Sequence, residues 1–326
     1  MARHYLLPEK GNFYKANLHC HSTFSDGRLT VEQLKEAYMA QGYSIIAFTD
    51  HNTLVPHNEL SDENFLSITG VEIDYNDYND EKYPKGWAQI PVYHINFFSK
   101  DKDRNEFIPF ERVYSFDAVQ KTIDDANKAG FLCQYNHPRW SYQTVRDFEN
   151  LRGLFGFEIF NYGCETEMHD GWGDYEYDHY MRQGGKAAAV ATDDTHFFCQ
   201  DFDSPYIDMF GGYTMIKAPS LSYDDVLGAM ERMECYASTG AEIYSMYLDD
   251  NDEGEPVKLH IECSPCHSVS VLSDVRDTRI VRSLKDDITV VDVELSPSYK
   301  SFRVECMTLD HKRAFSRGFF KSEFTS

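Results

Sequence analysis

The sequence predicts an α/β fold with a small β appendage, because strand and helix patterns alternate over most of the chain and strand patterns alone follow. Up to about residue 240, short apolar runs recur with amphipathic helical patterns between them. Beyond that point, short strands are separated by polar turns. Alternating strands and helices are typical of a parallel sheet or barrel, and successive short strands of an antiparallel sheet. We therefore predict a barrel-like domain over residues 1–240 and a small antiparallel β domain over residues 241–326.

Apolar runs mark the candidate strands of both domains. Seven lie in the first domain, and their lengths are typical of buried strands. They are residues 14–18, 44–49, 65–69, 92–97, 131–135, 157–160 and 187–192. The candidate strands of the second domain are residues 244–248, 257–263, 268–272, 288–295 and 302–307.

Three helices are predicted between these strands. Thr30 and Gln33 form a capping box that begins a helix ending near Gly42. Residues 115–128 and residues 222–233 have amphipathic patterns, which predict two further helices. The first strand and the capped helix make one βα unit, so the alternation begins at the start of the chain.

Composition and charge exclude several classes of protein. With 42% hydrophobic and 15% aromatic residues in 326, the chain has a globular composition. The net charge of −23 repels a phosphate backbone, so we predict no nucleic-acid partner. There is neither a secretory signal pattern nor an apolar run of membrane length, so we expect a cytoplasmic protein without a membrane partner. Cys263 and Cys266 have redox or zinc spacing, but no second pair follows, and we interpret them as strand-end cysteines.

Residues that bind metals accompany the apolar runs of the first domain. His19 and His21 follow the first run, and in an extended segment their side chains point to the same face. Asp194 and His196 repeat this spacing after the last run. In a barrel the strand ends share one rim, so ligands that are distant in sequence meet there. The nine candidate ligands are His19, His21, Asp26, His51, Glu72, His94, His137, Asp194 and His196.

The mixture of imidazole and carboxylate groups indicates which metals to expect. Such ligands suit Zn, Mn or Fe, whereas an all-oxygen set indicates Ca or Mg. Nine ligands are too many for one ion, so we predict two or three divalent ions in one cluster. Asp50 and Asp193 are interpreted as weaker candidates that orient their neighbours. Glu158 and Asn161 are candidates for the rim of the site or for supporting its ligands.

Arg139 and Trp140, which follow His137 closely in sequence, are candidates for contact with a substrate. Arg139 is placed to clamp an anionic substrate, although an ion pair at the surface explains it equally well. Trp140 beside it is a candidate wall of the pocket. The sequence alone leaves both readings of Arg139 open.

These motifs resemble those of the PHP (polymerase and histidinol phosphatase) superfamily, over roughly residues 14–241. The resemblance implies a distorted seven-stranded (β/α) barrel with a dinuclear or trinuclear centre. It implies that His19, His21, Glu72 and Asp194 hold one ion, that Glu72 bridges to a second held by His94 and His137, and that Asp26, His51 and His196 hold a third. The region from Asn136 to His196 is also similar to the branch of carbamate and ester hydrolases of the CehA/McbA type. The matching motifs are His19-Cys20-His21 with Asp26, Thr49-Asp50-His51, Asn136-His137-Pro138 and Asp194-Thr195-His196.

We therefore predict a hydrolase that cleaves a small anionic substrate, a phosphate ester, with a hydroxide that bridges two metals. Asp26 or His196 protonates the leaving oxygen, and Arg139 neutralises charge on the phosphate. One alternative is hydrolysis of a carboxyl ester, carbamate or amide at the same site. Another is a binding module in which the metals are structural.

Overall fold

The computed structural model describes residues 2–76, 91–276 and 278–325, and it is a mixed α/β structure. The strands up to residue 240 are β1 (Arg3–Tyr5), β2 (Asn12–Asn17), β3 (Ile45–Phe48), β4 (Leu66–Tyr75), β5 (Tyr93–Ser99), β6 (Phe131–Tyr135), β7 (Gly156–Asn161), β8 (Ala188–Thr192), β9 (Tyr213–Ala218) and β10 (Cys235–Ser238). The helices are α1 (Val31–Ala40), α2 (Phe116–Lys128), α3 (Val145–Phe148), α4 (Tyr162–Met168), α5 (Asp174–Arg182) and α6 (Tyr223–Glu231).

The three predicted helices are α1, α2 and α6. Thr30 caps α1 with the predicted box, since its side chain accepts from the backbone of Gln33 while the Gln33 side chain accepts from the backbone of Thr30. Val119 and Ile123 of α2 are fully buried, as its amphipathic pattern predicts. The short helices α3, α4 and α5, each of at most nine residues, were not predicted.

The strands β2 to β8 lie side by side in chain order, at the seven predicted places. All pair in parallel except β5, which is antiparallel to both β4 and β6. The expectation of a wholly parallel sheet is therefore wrong at β5. The long strand β4 takes part in both kinds of pairing. Its first four residues pair in parallel with β3, and its residues from Gly70 onwards pair antiparallel with β5.

The strands β2 to β8 curl so that the end of β8 approaches the end of β2, although no strand ladder joins these two strands in the described residues and β2 pairs with β9 instead. We call the gap between β2 and β8 the seam. Backbone hydrogen bonds cross this seam just beyond the strands: Asp194 N–H donates to the His19 carbonyl at 2.9 Å, and His21 N–H donates to the Thr195 carbonyl at 3.0 Å. Farther down, the Thr214 hydroxyl bonds both backbone groups of Ala191. The described residues therefore form a curled sheet that is not closed into the predicted seven-stranded barrel.

The remaining strands are antiparallel to their neighbours. They are β11 (Ile243–Asp250), β12 (Pro256–Cys266), β13 (Ser268–Ser273), β14 (Arg279–Arg282), β15 (Ile288–Glu294), β16 (Ser301–Met307), β17 (Arg313–Ser316) and β18 (Phe319–Phe320). One sheet has the order β1-β11-β12-β15, while β14, β13, β16 and β17 continue the main sheet through β10 and β9. A hydrophobic core that includes Leu259 and Val304 contains residues from both sheets.

A buried ion pair connects the two parts of the chain. Arg303 on β16 has a side chain that is 2% exposed, and its guanidinium donates to Asp178 on α5 at 2.5 and 3.1 Å. Its remaining nitrogen contacts Glu305 at 3.2 Å. In the described residues, no helix is long and apolar enough to cross a membrane.

Candidate metal centre

The reversed strand β5 brings His94 to the rim where the parallel strands end. His94 is the second residue of β5, opposite Asp74 near the end of β4, and its carbonyl accepts from Asn136 N–H just after β6. In an antiparallel neighbour, the beginning of one strand lies beside the end of the next. His94 therefore joins the cluster from the start of a strand, and not from an end as the other histidines do.

Glu72 is the central carboxylate of the cluster. It lies inside β4 with its side chain 1% exposed. Its Oε1 is 3.2 Å from His19 Nε2 and 2.9 Å from His94 Nδ1. Its Oε2 is 3.3 Å from His21 Nε2 and 3.1 Å from His51 Nδ1. One carboxylate thus contacts four of the predicted imidazoles, which is the arrangement that a bridging ligand requires.

Asp194 approaches the same imidazoles from across the seam. Its Oδ1 is 3.1 Å from His19 Nε2 and 3.0 Å from His21 Nε2. Its Oδ2 lies 3.6 Å from His137 Nε2. The backbone of Asp194 has φ +51°, a left-handed conformation that costs free energy in a residue other than glycine. Strain of this kind at a ligand position is typical of a functional site.

Asp26, His51 and His196 form the open side of the cluster. The Asp26 side chain is 52% exposed, and its carboxylate lies 3.8 Å from His51 Nε2 and 3.5 Å from His196 Nε2. His21 stacks between the two other rings, with centroids 4.3 Å from His51 and 4.1 Å from His196. Solvent therefore reaches the cluster from this side.

The nine predicted ligands divide into overlapping groups that resemble the three implied sets. Two groups match well, since their donor atoms all lie within 4.8 Å of one another: His19, His21, Glu72 and Asp194 form one, and His21, Asp26, His51 and His196 form the other. The middle set differs from the expectation, because Glu72 and His94 group with His51. His137 Nε2 is 3.5 Å from Glu72 Oε1 and groups instead with Glu158 or with Cys164.

Unpartnered donor atoms show that the cluster fits divalent metals. His19 Nε2, His21 Nδ1 and Glu72 Oε2 are buried and have no hydrogen-bond partner in the described structure. An unsatisfied buried polar atom costs about 1–3 kcal/mol, so groups of them are rare in native proteins. Imidazole nitrogen and carboxylate oxygen are ordinary ligands of Zn, Mn and Fe. A cation held by the group of His19, His21, Glu72 and Asp194 would satisfy His19 Nε2 and Glu72 Oε2, and one held by the group of His21, Asp26, His51 and His196 would satisfy His21 Nδ1.

Electrostatics keep the carboxylates in the form that binds cations. Burial opposes ionisation of Asp194 and Glu72, but the surrounding imidazoles outweigh it and hold both pKa values below the usual range. Burial likewise opposes protonation of His21, yet Asp194 and Glu72 raise its pKa to about 10. Burial lowers the pKa of His51 to about 3 and favours its neutral form. The carboxylates are thus ionised at neutral pH.

Glu158 is more closely connected to the cluster than the sequence indicated. Its carboxylate accepts from His19 Nδ1 at 2.8 Å, from the backbone N–H of His137 at 2.9 Å and from the Thr192 hydroxyl at 2.7 Å. Asn161 donates to Glu158 at 3.0 Å and to Asp194 at 3.1 Å. Glu158 therefore fixes the ring of His19 so that Nε2 faces Glu72 and Asp194.

Other carboxylates hold the loops that carry ligands. Asp50 accepts from Ser22 and Ser25, which fixes the loop before Asp26. Asp193 accepts three backbone N–H bonds from residues 210–212, and burial raises its pKa to about 7 against these donors. Asp208, which the sequence analysis did not single out, accepts from the backbone N–H of His196 at 2.7 Å. An isolated aspartate gives no sequence signal for such a contact.

Arg139 and Trp140 lie beside the cluster in different ways. Arg139 Nε is 3.0 Å from Glu176, and this is its ion pair within the described residues. The Trp140 ring lies 5.1 Å from His137 and 5.6 Å from His94, measured between centroids, and it forms an apolar wall there. The structure accounts for Arg139 through Glu176, so its role as an anion clamp stays a prediction.

A curled α/β sheet with buried imidazoles and ionised carboxylates at one rim defines a metal-binding protein of the barrel-like α/β class. The chain belongs to the PHP domain family, whose model matches residues 17–180, half of the 326 residues. The resemblance seen in the motifs is thereby confirmed. The similarity to the CehA/McbA branch stays a prediction.

Known proteins resemble the chain over different lengths. A 5'-3' exoribonuclease of Haemophilus influenzae is 41% identical over 66 residues, which are 19% of this chain and 24% of that protein, so the chain spans about a quarter of this curated relative. A two-domain protein from Bacteroides vulgatus, containing a predicted PHP-like metal-dependent phosphoesterase, has 13% identity and a TM-score of 0.45 over 97% of this chain and 98% of that one. An amidohydrolase from Chromobacterium violaceum has 15% identity and a TM-score of 0.35 over 56% and 87%.

Proposed function

We propose that this protein is a metal-dependent hydrolase that cleaves a small phosphate ester. The observation that carries the proposal is the convergence of His19, His21, Glu72 and Asp194, whose ligand atoms all lie within 4.8 Å of one another, while His19 Nε2 and Glu72 Oε2 have no hydrogen-bond partner among the described residues. Structural metal sites are closed by their protein ligands, whereas catalytic sites keep one side open. The exposure of Asp26 on one side of the cluster supports a catalytic site.

The ligands would hold two or three divalent ions of Zn, Mn or Fe. His19, His21, Glu72 and Asp194 would hold the first, Glu72 with His94 and His137 the second, and Asp26, His51 and His196 the third. Divalent ions supply Lewis acidity and make an attacking water more acidic.

The chain's own residues orient the reactants at the open side. Asp26 and His196 lie 3.5 Å apart at the mouth, where a leaving oxygen departs towards solvent. In a centre of two ions that leaves Asp26 and His196 unbound, either group could give a proton to that oxygen, because both lie on the open side of the cluster. Trp140 covers the side next to His94 and His137 and limits the access of water there. We propose Asp26 or His196 as the general acid.

One comparison favours phosphate as the centre of attack, and the charge of the chain limits the size of the substrate. The curated Haemophilus relative is named as an exoribonuclease, and ribonucleases cleave phosphodiester bonds. The similarity to this relative covers only 66 residues, so we do not propose a polymeric substrate for this chain. The net charge of −23 also argues against a long polyanion, because the protein would repel it at a distance. A small phosphate ester agrees both with the name of the relative and with the negative charge of this chain.

Parallel assays test the proposal. Purified protein loaded with Mn²⁺ or Zn²⁺ is given p-nitrophenyl phosphate, bis-p-nitrophenyl phosphate and p-nitrophenyl acetate. We expect at least one of the phosphates to be cleaved in preference to acetate, and the activity to disappear with a chelator. Preference for acetate supports an ester, carbamate or amide hydrolase instead. Stoichiometric metal without turnover of any substrate in a broad screen supports a binding module.

Replacing Arg139 with alanine tests the proposed anion clamp. We expect kcat/KM for a phosphate ester to fall about tenfold, because a charge-assisted hydrogen bond contributes about 1.5–3 kcal/mol. Turnover of a neutral ester should change little. Arg146→Ala, at an exposed arginine on α3, is the control. An equal loss on both substrates would mean that Arg139 acts only through its ion pair with Glu176.

A further inference from the structure

A second cavity lies between the barrel part and the turn that joins β16 to β17. Its volume is about 290 Å³, and none of the nine predicted ligands lines it. Phe160, Tyr162 and Trp172 line its inner side, and residues 310–312 line its outer side. The cavity therefore requires residues from both parts of the chain, which gives the residues after 240 a specific role.

The inner side of this cavity is an aromatic wall. The Phe160 and Trp172 rings have centroids 4.4 Å apart, and the Phe160 and Tyr162 rings have centroids 6.3 Å apart. The Arg313 guanidinium lies 4.5 Å from the Trp172 centroid and supports that ring. These rings are tilted by 45° and 37° to one another, and such an aromatic lining accepts an aromatic group in an edge or tilted contact.

Charged groups of opposite sign occupy different sides of the cavity. Glu165 on α4 accepts from Gly171 N–H at 3.2 Å through one oxygen and lies 4.0 Å from His169 through the other. Lys312 is an exposed residue of the lining, and its ammonium has no ion pair or hydrogen bond among the described residues. Asp310 is engaged by the Thr308 hydroxyl. A ligand with one cationic and one anionic group satisfies Glu165 and Lys312 together.

The walls of the cavity are directly connected to the metal centre. The backbone N–H groups of Phe210 and Gly211, which line it, donate to Asp193 at 2.7 and 3.0 Å. Asn161 lies between the wall residues Phe160 and Tyr162 in sequence, and it donates to Asp194 at 3.1 Å. A ligand that shifts these segments therefore moves the bonds that position Asp194.

We propose that this cavity binds a small aromatic zwitterion, namely an aromatic α-amino acid or a compound with the same three groups, and that binding alters the metal affinity of the centre. The aromatic group occupies the ring-lined wall, the amino group pairs with Glu165 and the carboxylate pairs with Lys312. The coupling rests on the metal centre of the proposed function, whereas binding in the cavity does not.

Isothermal titration calorimetry on the full chain tests the binding with three probes. L-phenylalanine carries both charges, 2-phenylethylamine lacks the carboxylate and 3-phenylpropanoate lacks the amino group. We expect L-phenylalanine to bind about tenfold or more tightly than either, because each charge-assisted pair adds affinity. Lys312→Ala should abolish the preference over the amine, and Glu165→Gln the preference over the acid. Lys300→Ala, at an exposed lysine before the opposite end of β16, should change neither.

Two results overturn the proposed site. One is the absence of binding by all three probes at millimolar concentration. The other is binding of L-phenylalanine that is unchanged by both Lys312→Ala and Glu165→Gln, since the ligand would then lie elsewhere.

The coupling is measured by repeating the L-phenylalanine titration with saturating Mn²⁺. Linkage requires each ligand to change the affinity of the other by the same factor, and we expect about fivefold or more. Equal affinity with and without Mn²⁺ overturns the coupling. Neither titration measures turnover, so a failed hydrolase assay would refute the proposed function and leave the binding result intact.

Discussion

Glu72→Gln is expected to remove bound metal and to lower kcat/KM for the preferred substrate about 1,000-fold or more. Glu72 contacts four imidazoles, and glutamine keeps its shape while it removes the negative charge. Several kcal/mol of transition-state stabilisation depend on metal, and about 1.4 kcal/mol corresponds to a factor of ten. Metal content by mass spectrometry and steady-state kinetics on the same preparation measure both effects.

Glu158→Gln is the matched comparison for this variant. Glu158 contacts His19 on the side away from Glu72, so it orients a ligand without being one in the proposed scheme. We expect a loss of about 10–100-fold in activity or metal affinity, as is usual for groups that support ligands. Full metal content and turnover in a correctly folded Glu72→Gln protein would refute the proposed centre.

Asp178→Ala is expected to lower the free energy of unfolding by about 3 kcal/mol. It leaves the guanidinium of Arg303 buried with Glu305 as its remaining acidic partner, and breaking a buried pair from one side costs about 3–5 kcal/mol. The value lies at the lower end because the Asp178 side chain is 18% exposed and water partly replaces it. Chemical denaturation monitored by circular dichroism measures the change.

A double variant separates the lost pair from a general packing defect. Adding Arg303→Met to Asp178→Ala removes the uncompensated charge, so we expect most of the stability to return. Asp125→Ala breaks a surface pair with Lys121 and should leave the unfolding midpoint unchanged. A double variant as unstable as Asp178→Ala would contradict the electrostatic explanation.

Local patterns predicted the strands and the capped helix, because their periodicity and caps are short-range signals. The direction of β5 did not follow from them, since an apolar run has the same appearance in either direction. His94 was nevertheless assigned to the cluster from its residue type, although its strand runs opposite to the expected direction. β9 and β10, which link β2 to the later strands, were not predicted, so the continuous sheet could not be anticipated.

Within the centre, the histidines were easier to predict than the carboxylates around them. Closely spaced pairs such as His19 and His21 carry a visible pattern. Glu158 does not, because it contacts His19 from 139 residues away and its role depends on the curl of the sheet. Asp208 is similar, since its bonds to residues 195–197 arise from a loop with no repeating pattern.

A metal ion bound at the seam between β2 and β8 would hold these two strands together. His19 and His21 follow β2 and Asp194 follows β8, and in the described residues backbone hydrogen bonds join the segments just after these two strands. An ion bound by these three side chains would crosslink the segment after β2 to the segment after β8. Loading the centre with a divalent ion should therefore slow hydrogen exchange of the amides at this junction.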